Sequence, residues 1–179
     1  MGTSGQLERE STDGGPTTST DLLAHLERLG IAHRTAHHRP VFTVAESRGL
    51  REDFPGGHSK NLFLRNKKGR MWLVTCLEDR DIDLKALAER LGAGRFSFAS
   101  AERLMRYLGV TPGAVTPFAV VNDCGGAVSM VLDAGLLEHD PVNFHPLDNA
   151  MTTAIAPDDL LRFLEHAAHP PEIVDLGAL

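Results

Sequence analysis

The chain has 179 residues, of which 42% are hydrophobic and 23% are charged, and its formal net charge is −6. These values are typical of one globular domain and exclude a mostly disordered chain. The two cysteines, Cys76 and Cys124, are too few for a disulfide framework, and every apolar run is shorter than the roughly 20 residues of a membrane helix. We therefore expect a soluble, cytoplasmic domain without a leader segment.

Charge is distributed unevenly along the chain. Residues 21–70 carry ten Lys/Arg and five Asp/Glu, whereas residues 71–179 carry seven Lys/Arg and sixteen Asp/Glu. A basic first half indicates a local surface for a polyanion on an acidic protein, unless folding mixes the two halves.

The N-terminal segment and the first helix are read from composition and capping. Residues 1–19 are rich in Gly, Ser, Thr, Glu and Asp, which predicts a disordered tail and leaves residues 20–179 for the folded domain. The first helix is expected to begin at Thr20-Asp21, with leucines on one face, and to end at Gly30.

Hydrophobic periodicity, capping residues and turn residues predict the remaining elements. In chain order they are a strand over 31–38, a short helix with a capping box of Thr43 and Glu46, a hairpin over 61–76, a helix over 83–91, a brief strand at 96–98, a helix after Ser100, a second hairpin formed by 118–122 and 128–133, strands over 142–145 and 151–155, a helix from Pro157 and a last strand at 173–176. Hairpins mixed with scattered helices predict an α+β domain whose sheet is mixed and mostly antiparallel.

Three segments combine residue types that indicate a functional role as well as a structural one. Pro55-Gly-Gly-His-Ser-Lys60 places a lysine where a glycine loop enters an apolar strand, and this lysine either holds an anion as a point charge or extends to solvent. The loop from Gly109 to Pro117 has two glycines and two prolines, so it is either a rigid presenter of backbone N–H groups or an ordinary connector. In Asn143-Phe-His145-Pro, the histidine before proline favours a structural role over a catalytic one.

Familiar hydrolase and metal motifs are absent from the sequence. It has no Gly-x-Ser-x-Gly elbow, His-Glu-x-x-His pair, Walker loop or Cys-x-x-Cys pair. Neither cysteine has an activating neighbour, and the histidines at 33, 37 and 38 lack a carboxylate or thiol at ligand spacing. We therefore expect neither a cofactor nor a metal.

Taken together, Gly-Gly-His-Ser-Lys60-Asn-Leu-Phe-Leu, the Gly113-x-x-x-Pro117 loop and Asn143-Phe-His-Pro-Leu-x-Asn-x-x-Thr-Thr resemble the prolyl-tRNA editing-domain family, also called YbaK-like. The resemblance runs from about residue 21 to the C-terminus and is greatest to freestanding members that deacylate alanyl-tRNA(Pro). It implies a single domain with a curved mixed sheet flanked by helices.

The resemblance also implies roles for individual residues. Lys60 matches the lysine that engages the phosphate of the 3′-terminal adenosine of the tRNA, and Gly113 and Pro117 match the loop that holds the aminoacyl ester and the attacking water. His145 matches a pocket-wall histidine linked to amino-acid selection. Further pocket positions implied by the motifs are Asn61, Asn149, Thr152 and the segment Val41, Phe42 and Thr43.

The function implied is hydrolysis of mischarged tRNA(Pro), most simply Ala-tRNA(Pro), by a positioned water. The partners implied are the acceptor end of tRNA(Pro) and, transiently, prolyl-tRNA synthetase, with neither membrane nor DNA. Two alternatives stay open: a deacylase for another small or thiol-bearing aminoacyl group, such as serine or cysteine, and a non-catalytic nucleic-acid-binding module that uses the basic first half.

Overall fold

One mixed sheet organises the part of the chain that the computed structural model describes, residues 15–40 and 52–179. In chain order its strands are β1 (His33–His37), β2 (Gly57–Arg65), β3 (Met71–Leu77), β4 (Ser97–Phe98), β5 (Val128–Asp133), β6 (Val142–Phe144), β7 (Met151–Ile155) and β8 (Glu172–Val174). The order across the sheet is β1-β7-β6-β2-β3-β5-β8, and β4 pairs with the far end of β2.

The pairing directions make the sheet mixed. Antiparallel pairs join β1 to β7, β7 to β6, β2 to β3 and β2 to β4, whereas parallel pairs join β6 to β2, β3 to β5 and β5 to β8. The predicted α+β class with a mixed, mostly antiparallel sheet is confirmed. The hairpin predicted over 61–76 is the β2–β3 pair.

Three helices begin where the sequence predicts, whereas the first begins slightly earlier than the expected Thr20-Asp21, at Ser19 after the N-cap Thr18. The helices are α1 (Ser19–Arg28), α2 (Leu84–Arg90), α3 (Ala101–Leu108) and α4 (Pro157–His166), with 3-10 turns at Pro117–Asn122, Ala134–Glu138 and Leu176–Ala178. Asp83 and Ser100 accept hydrogen bonds from the first turns of α2 and α3. No helix in the described ranges is both long and apolar enough to cross a membrane.

The end of the predicted tail contacts the folded chain. Thr18 forms a capping box with Asp21 at the start of α1, and the Thr17 amide donates to the Asn122 side chain at 2.9 Å. Residues 1–14 and the predicted short helix at Thr43 lie outside the described residues.

Period-2 alternation along the central strands builds a core on each face of the sheet. Phe63 and Leu73 face α1, α3 and α4, while Leu64, Trp72 and Val74 face α2. The continuous burial of β3 follows from this arrangement, since both faces of the strand are covered.

The second predicted hairpin is wrong. Residues 117–122 form a 3-10 turn, and β5 pairs in parallel with β3. Thr116 accepts from the Phe118 amide and Pro117 occupies the first position of the turn, which favours a helical start over a strand. Phe118, Ala119 and Val120 are buried consecutively, and this pattern fits a turn wedged between helices better than a strand with one solvent face.

A buried contact between a histidine and a carboxylate ties the C-terminal segment to the turn before β5. The Nε2 atom of His169 lies 2.9 Å from the Asp123 carboxylate, and both side chains are almost fully buried. The same carboxylate accepts from the backbone amides of Ala127 and Val128 at 3.1 and 2.7 Å. One carboxylate therefore holds both the turn before β5 and the segment after α4.

We expect His169→Ala to destabilise the fold by about 3 kcal/mol, because it leaves a buried carboxylate without its partner. At this chain length the change corresponds to a fall in Tm of roughly 6–12 °C, measured by thermal unfolding. The control is Glu172→Gln, which breaks an exposed ion pair with Arg90 and should change stability by less than about 0.5 kcal/mol. Equal Tm values for the two variants would contradict the role assigned to His169.

Candidate functional site

The glycine loop at the start of β2 is closely packed. Gly56 has φ +109°, and a Cβ there would lie 2.0 Å from the Pro141 carbonyl oxygen, so only glycine fits. The Asn143 amide donates to the carbonyls of Pro55 and Gly57, both at 3.2 Å. Asn143 thus holds the loop against β6. Its own Oδ1 is buried with no hydrogen-bond partner among the described residues.

Lys60 is the fourth residue of β2, and its side chain is half-buried. Its ammonium donates to the backbone carbonyl of Arg80, in the segment that follows β3. An ammonium has three N–H donors, so this contact orients the group and leaves two donors for an anion. Lys60 forms no ion pair within the described ranges.

Asn61 projects to the opposite face of β2 from Lys60. Its Nδ2 donates to the Val115 carbonyl at 2.9 Å, and its Oδ1 accepts from the Thr75 hydroxyl at 2.6 Å. Thr75 is fully buried on β3. Asn61, predicted as a pocket residue, therefore has a structural role: its side chain fixes the Gly113–Pro117 loop to the centre of the sheet.

The Gly113–Pro117 loop begins in a conformation that favours glycine, since Gly113 has φ +93°. Its far end is anchored where Phe118 meets Phe144 of β6 edge-to-face, with ring centroids 5.7 Å apart. Within the described part of the chain, no acceptor receives the backbone N–H groups of Val115 and Thr116. Both groups lie on a loop that is held at each end, and Thr116 is fully buried.

His145 lies directly after β6, with Nδ1 2.8 Å from the Met151 carbonyl oxygen. Because a carbonyl only accepts, Nδ1 carries the proton and Nε2 of the neutral ring is left as an acceptor. Burial lowers the pKa of the imidazole, the Met151 hydrogen bond opposes that shift, and the nearby His38 adds to it. The ring is therefore neutral at physiological pH.

Thr152 is linked to the surroundings of His145 by His38, a residue that the sequence reasoning did not place in the site. His38 has Nε2 2.8 Å from the buried Thr152 hydroxyl, and its ring centroid is 6.3 Å from that of His145. Its position next to two other histidines led the sequence reasoning to weigh it only as a metal ligand. Asn149 lies in the turn between His145 and β7, half-buried.

The predicted segments attach to neighbouring strands of the sheet. Lys60 and Asn61 are consecutive on β2, and Asn61 holds the Gly113–Pro117 loop. The start of β2 pairs in parallel with β6 at Gly57–Val142 and His58–Asn143, and His145 follows the end of β6. Because side chains alternate along a strand, Lys60 and the loop lie on opposite faces of β2.

Not every predicted residue is brought into contact. The Lys60 ammonium points toward Arg80, on the β3 side of β2, rather than toward the loop. Val41, Phe42 and Thr43 lie outside the described residues.

A cavity of about 260 Å³ lies in front of the glycine loop, between Gly57 and the end of β3. Glu78, Asp79 and His139 contribute to its lining. Two carboxylates at the mouth disfavour a phosphate there, so this cavity is a poorer candidate for anion binding than the surroundings of Lys60.

Sequence comparisons show which known proteins this chain is similar to. A family model described as "Aminoacyl-tRNA editing domain" matches residues 38–163. A Xenopus laevis protein named prolyl-tRNA synthetase associated domain-containing protein 1 is 41% identical over 159 residues, covering 86% of this chain and 94% of the relative. A protein of Acetoanaerobium sticklandii named prolyl-tRNA editing protein ProX is 36% identical, covering 87% of this chain and 95% of the relative.

A solved crystal structure described as a candidate trans-editing enzyme for prolyl-tRNA synthetase has the same fold. It superposes with a TM-score of 0.69 at 21% sequence identity, and the match covers 89% of this chain and 97% of the other.

Proposed function

Because the chain belongs to the aminoacyl-tRNA editing domain family, we propose that it is a deacylase that hydrolyses the ester of mischarged tRNA(Pro), with Ala-tRNA(Pro) as its preferred substrate. The observation that carries this proposal is the placement of Lys60 and Asn61 together on β2, with Asn61 bonded to the Gly113–Pro117 loop and His145 at the end of the adjacent β6. The names of the two relatives support prolyl-tRNA editing as the setting. The site of action is then the cytoplasm, with transient association with prolyl-tRNA synthetase.

Lys60 binds the phosphate of the 3′-terminal adenosine in the proposed complex. Its two unused N–H donors suit a phosphate, and the hydrogen bond to the Arg80 carbonyl restrains the position of the ammonium.

The Gly113–Pro117 loop supplies the chemistry of the hydrolytic step. An aminoacyl ester is already reactive, so water held in line and an oxyanion stabilised by the N–H groups of Val115 and Thr116 provide much of the required acceleration. Water attacks the carbonyl carbon, the ester C–O bond breaks, and the products are free amino acid and the 3′-terminal hydroxyl. No covalent intermediate is needed.

Selectivity arises from pocket volume in this proposal. His145 is held by Met151 and borders the site, so its ring limits how large an aminoacyl group fits. Exclusion of the proline ring discriminates more sharply than the roughly 10–200-fold that a methylene of favourable contact provides.

A basic surface at the other end of β2 supports a tRNA substrate. Within residues 65–70 there are four cations and no acid, and the Asn66 side chain ties this turn to the Ala93 carbonyl in the loop that carries Arg95. Phe98, on the adjacent β4, is 63% exposed and offers a face for base stacking. Five strand residues, about 17 Å, separate Lys60 from Arg65, so an RNA strand leaving Lys60 reaches this surface.

Removing two cations from the 65–70 turn is expected to weaken tRNA binding and to reduce the dependence of that binding on salt. Lys67→Ala combined with Lys68→Ala should lower the slope of log K against log salt by roughly 0.7–0.9 for each phosphate that the variant no longer neutralises. The control is Lys85→Ala, an exposed lysine at the start of α2. Binding to uncharged tRNA is measured by filter retention over a salt series. An unchanged slope in the double variant would remove this surface from the interface.

Neither thiol takes part in the proposed reaction. Burial raises the pKa of Cys76 to about 11, so it is not a thiolate at neutral pH. We expect Cys76→Ala with Cys124→Ser to deacylate Ala-tRNA(Pro) within about threefold of the wild-type rate, and EDTA to have no effect. Loss of activity in the folded double variant, or inhibition by EDTA, would contradict hydrolysis by positioned water alone.

The experiment that tests the proposed function is a deacylation panel with Ala-, Ser-, Cys- and Pro-tRNA(Pro) and the purified protein. The expected order places alanine first and proline last. A preference for serine or cysteine would identify the alternative deacylase, and tRNA binding without hydrolysis of any ester would identify a non-catalytic binding module.

A further inference from the structure

The acceptor that orients the Lys60 ammonium belongs to a surface segment. Arg80 follows β3 in the connection to α2, and its amide donates to the Leu77 carbonyl at 3.1 Å. Connecting segments at a surface are usually more mobile than strands. A carbonyl in such a segment directs a lysine reproducibly only if something else fixes the segment.

The Arg80 side chain provides that fixation. Its Nε donates to Asp133 at 3.1 Å, and the Asp133 carboxylate is fully buried at the end of β5. The same carboxylate lies near the backbone amides of Leu77, Gly135 and Leu176, at 3.2–3.4 Å. The Asp133 carboxylate therefore joins Arg80 to the ends of β3 and β5 and to the C-terminal turn.

Two glycines make room for the guanidinium. A Cβ at Gly135 would lie 2.4 Å from one terminal nitrogen of Arg80, and a Cβ at Gly177 would lie 2.5 Å from the other. Neither glycine has a positive φ. The backbone conformation does not require glycine at these two positions, whereas the space occupied by Arg80 does.

We propose that Arg80 is a positioning residue for Lys60: its guanidinium, held by Asp133 between Gly135 and Gly177, fixes the backbone carbonyl that directs the Lys60 ammonium toward the phosphate. The kinetic part of this inference rests on the proposed deacylase function. The structural part concerns only the hydrogen bond between Lys60 and Arg80.

Two variants test the inference in the full-length protein. Arg80→Gln removes the charged contact with Asp133. Gly177→Ala displaces the guanidinium without removing any polar group. It therefore tests the positioning role of Arg80 even if Arg80→Gln fails to fold. The matched control is Arg90→Gln, which breaks the half-exposed ion pair with Glu172. Thermal unfolding establishes that each variant is folded.

The first readout is deacylation of Ala-tRNA(Pro), measured as a double-mutant cycle with Lys60→Ala. Each positioning variant should lower kcat/KM by roughly tenfold to 100-fold in the wild-type background and by less than about twofold in the Lys60→Ala background, because the two residues act through one hydrogen bond. Additive effects would overturn the proposal, since they would assign Arg80 a role independent of Lys60.

The second readout does not depend on activity. Acetylation of each lysine by a limiting amount of acetic anhydride is followed by peptide mass spectrometry. Releasing the fixed carbonyl should raise the rate at Lys60 several-fold and leave exposed Lys85 unchanged. An unaltered Lys60 rate in the folded variants would overturn the proposal. If wild-type protein deacylates nothing, the proposed function fails, and this readout still decides the positioning role.

Discussion

Lys60→Ala is expected to lower kcat/KM for Ala-tRNA(Pro) by about 30-fold or more, since truncating one partner of a hydrogen-bonded charge pair costs about 2–5 kcal/mol. The fold should survive, because the side chain is half-buried and its ammonium bonds to a single carbonyl at the edge of the core. Lys60→Met, which keeps the apolar stem, should lose as much activity as Lys60→Ala. Single-turnover deacylation and thermal unfolding of each variant check both parts.

The informative control for Lys60 is the exposed Lys85, whose replacement by alanine should leave the rate within about twofold of wild type. Near wild-type turnover by folded Lys60→Met would show that the charge is dispensable and would refute the phosphate anchor.

His145→Ala is expected to change selectivity more than rate. Removing the ring enlarges the site, so hydrolysis of Pro-tRNA(Pro) should rise by at least about tenfold, and hydrolysis of Ala-tRNA(Pro) should fall by a smaller factor. The Lys60 anchor and the N–H groups of the Gly113–Pro117 loop remain in place. Single-turnover assays with both substrates measure the ratio.

The pH dependence separates a pocket wall from a general base. Burial depresses the pKa of His145, so the ring binds its proton only below its ordinary pKa of about 6.5 and stays neutral above it. We expect no step from this group between pH 6.5 and 8 in wild type. Uniform loss of activity on both substrates in His145→Ala, together with disappearance of a titration step, would identify His145 as a catalytic base.

Local signals predict the elements that local chemistry determines. The caps of α2 and α3 and the β2–β3 hairpin follow from residues close together in the chain, whereas the start of α1 was expected slightly too late. The strand expected at 118–122 failed because Thr116 and Pro117 start a 3-10 turn, and its run of apolar residues looks the same in a buried turn and in a buried strand.

Long-range contacts account for the features that local sequence patterns did not predict. His38 meets Thr152 across 114 residues, and Arg80 meets Asp133 across 53. No spacing rule connects such positions, so these contacts emerge only once β1, β5 and β7 are assembled. Motif resemblance singled out Lys60 and His145, whereas the parallel pairing of β2 with β6, the strands beside which they lie, emerged only from the structure.

The measurement that tests the central claim most directly is single-turnover hydrolysis of Ala-tRNA(Pro) and Pro-tRNA(Pro) by the purified wild-type protein, beside uncatalysed controls. The predicted result is rapid loss of the alanyl ester, with the prolyl ester persisting at the uncatalysed rate. An alanyl ester that decays no faster with the protein than without it would contradict the assignment of an Ala-tRNA(Pro) deacylase.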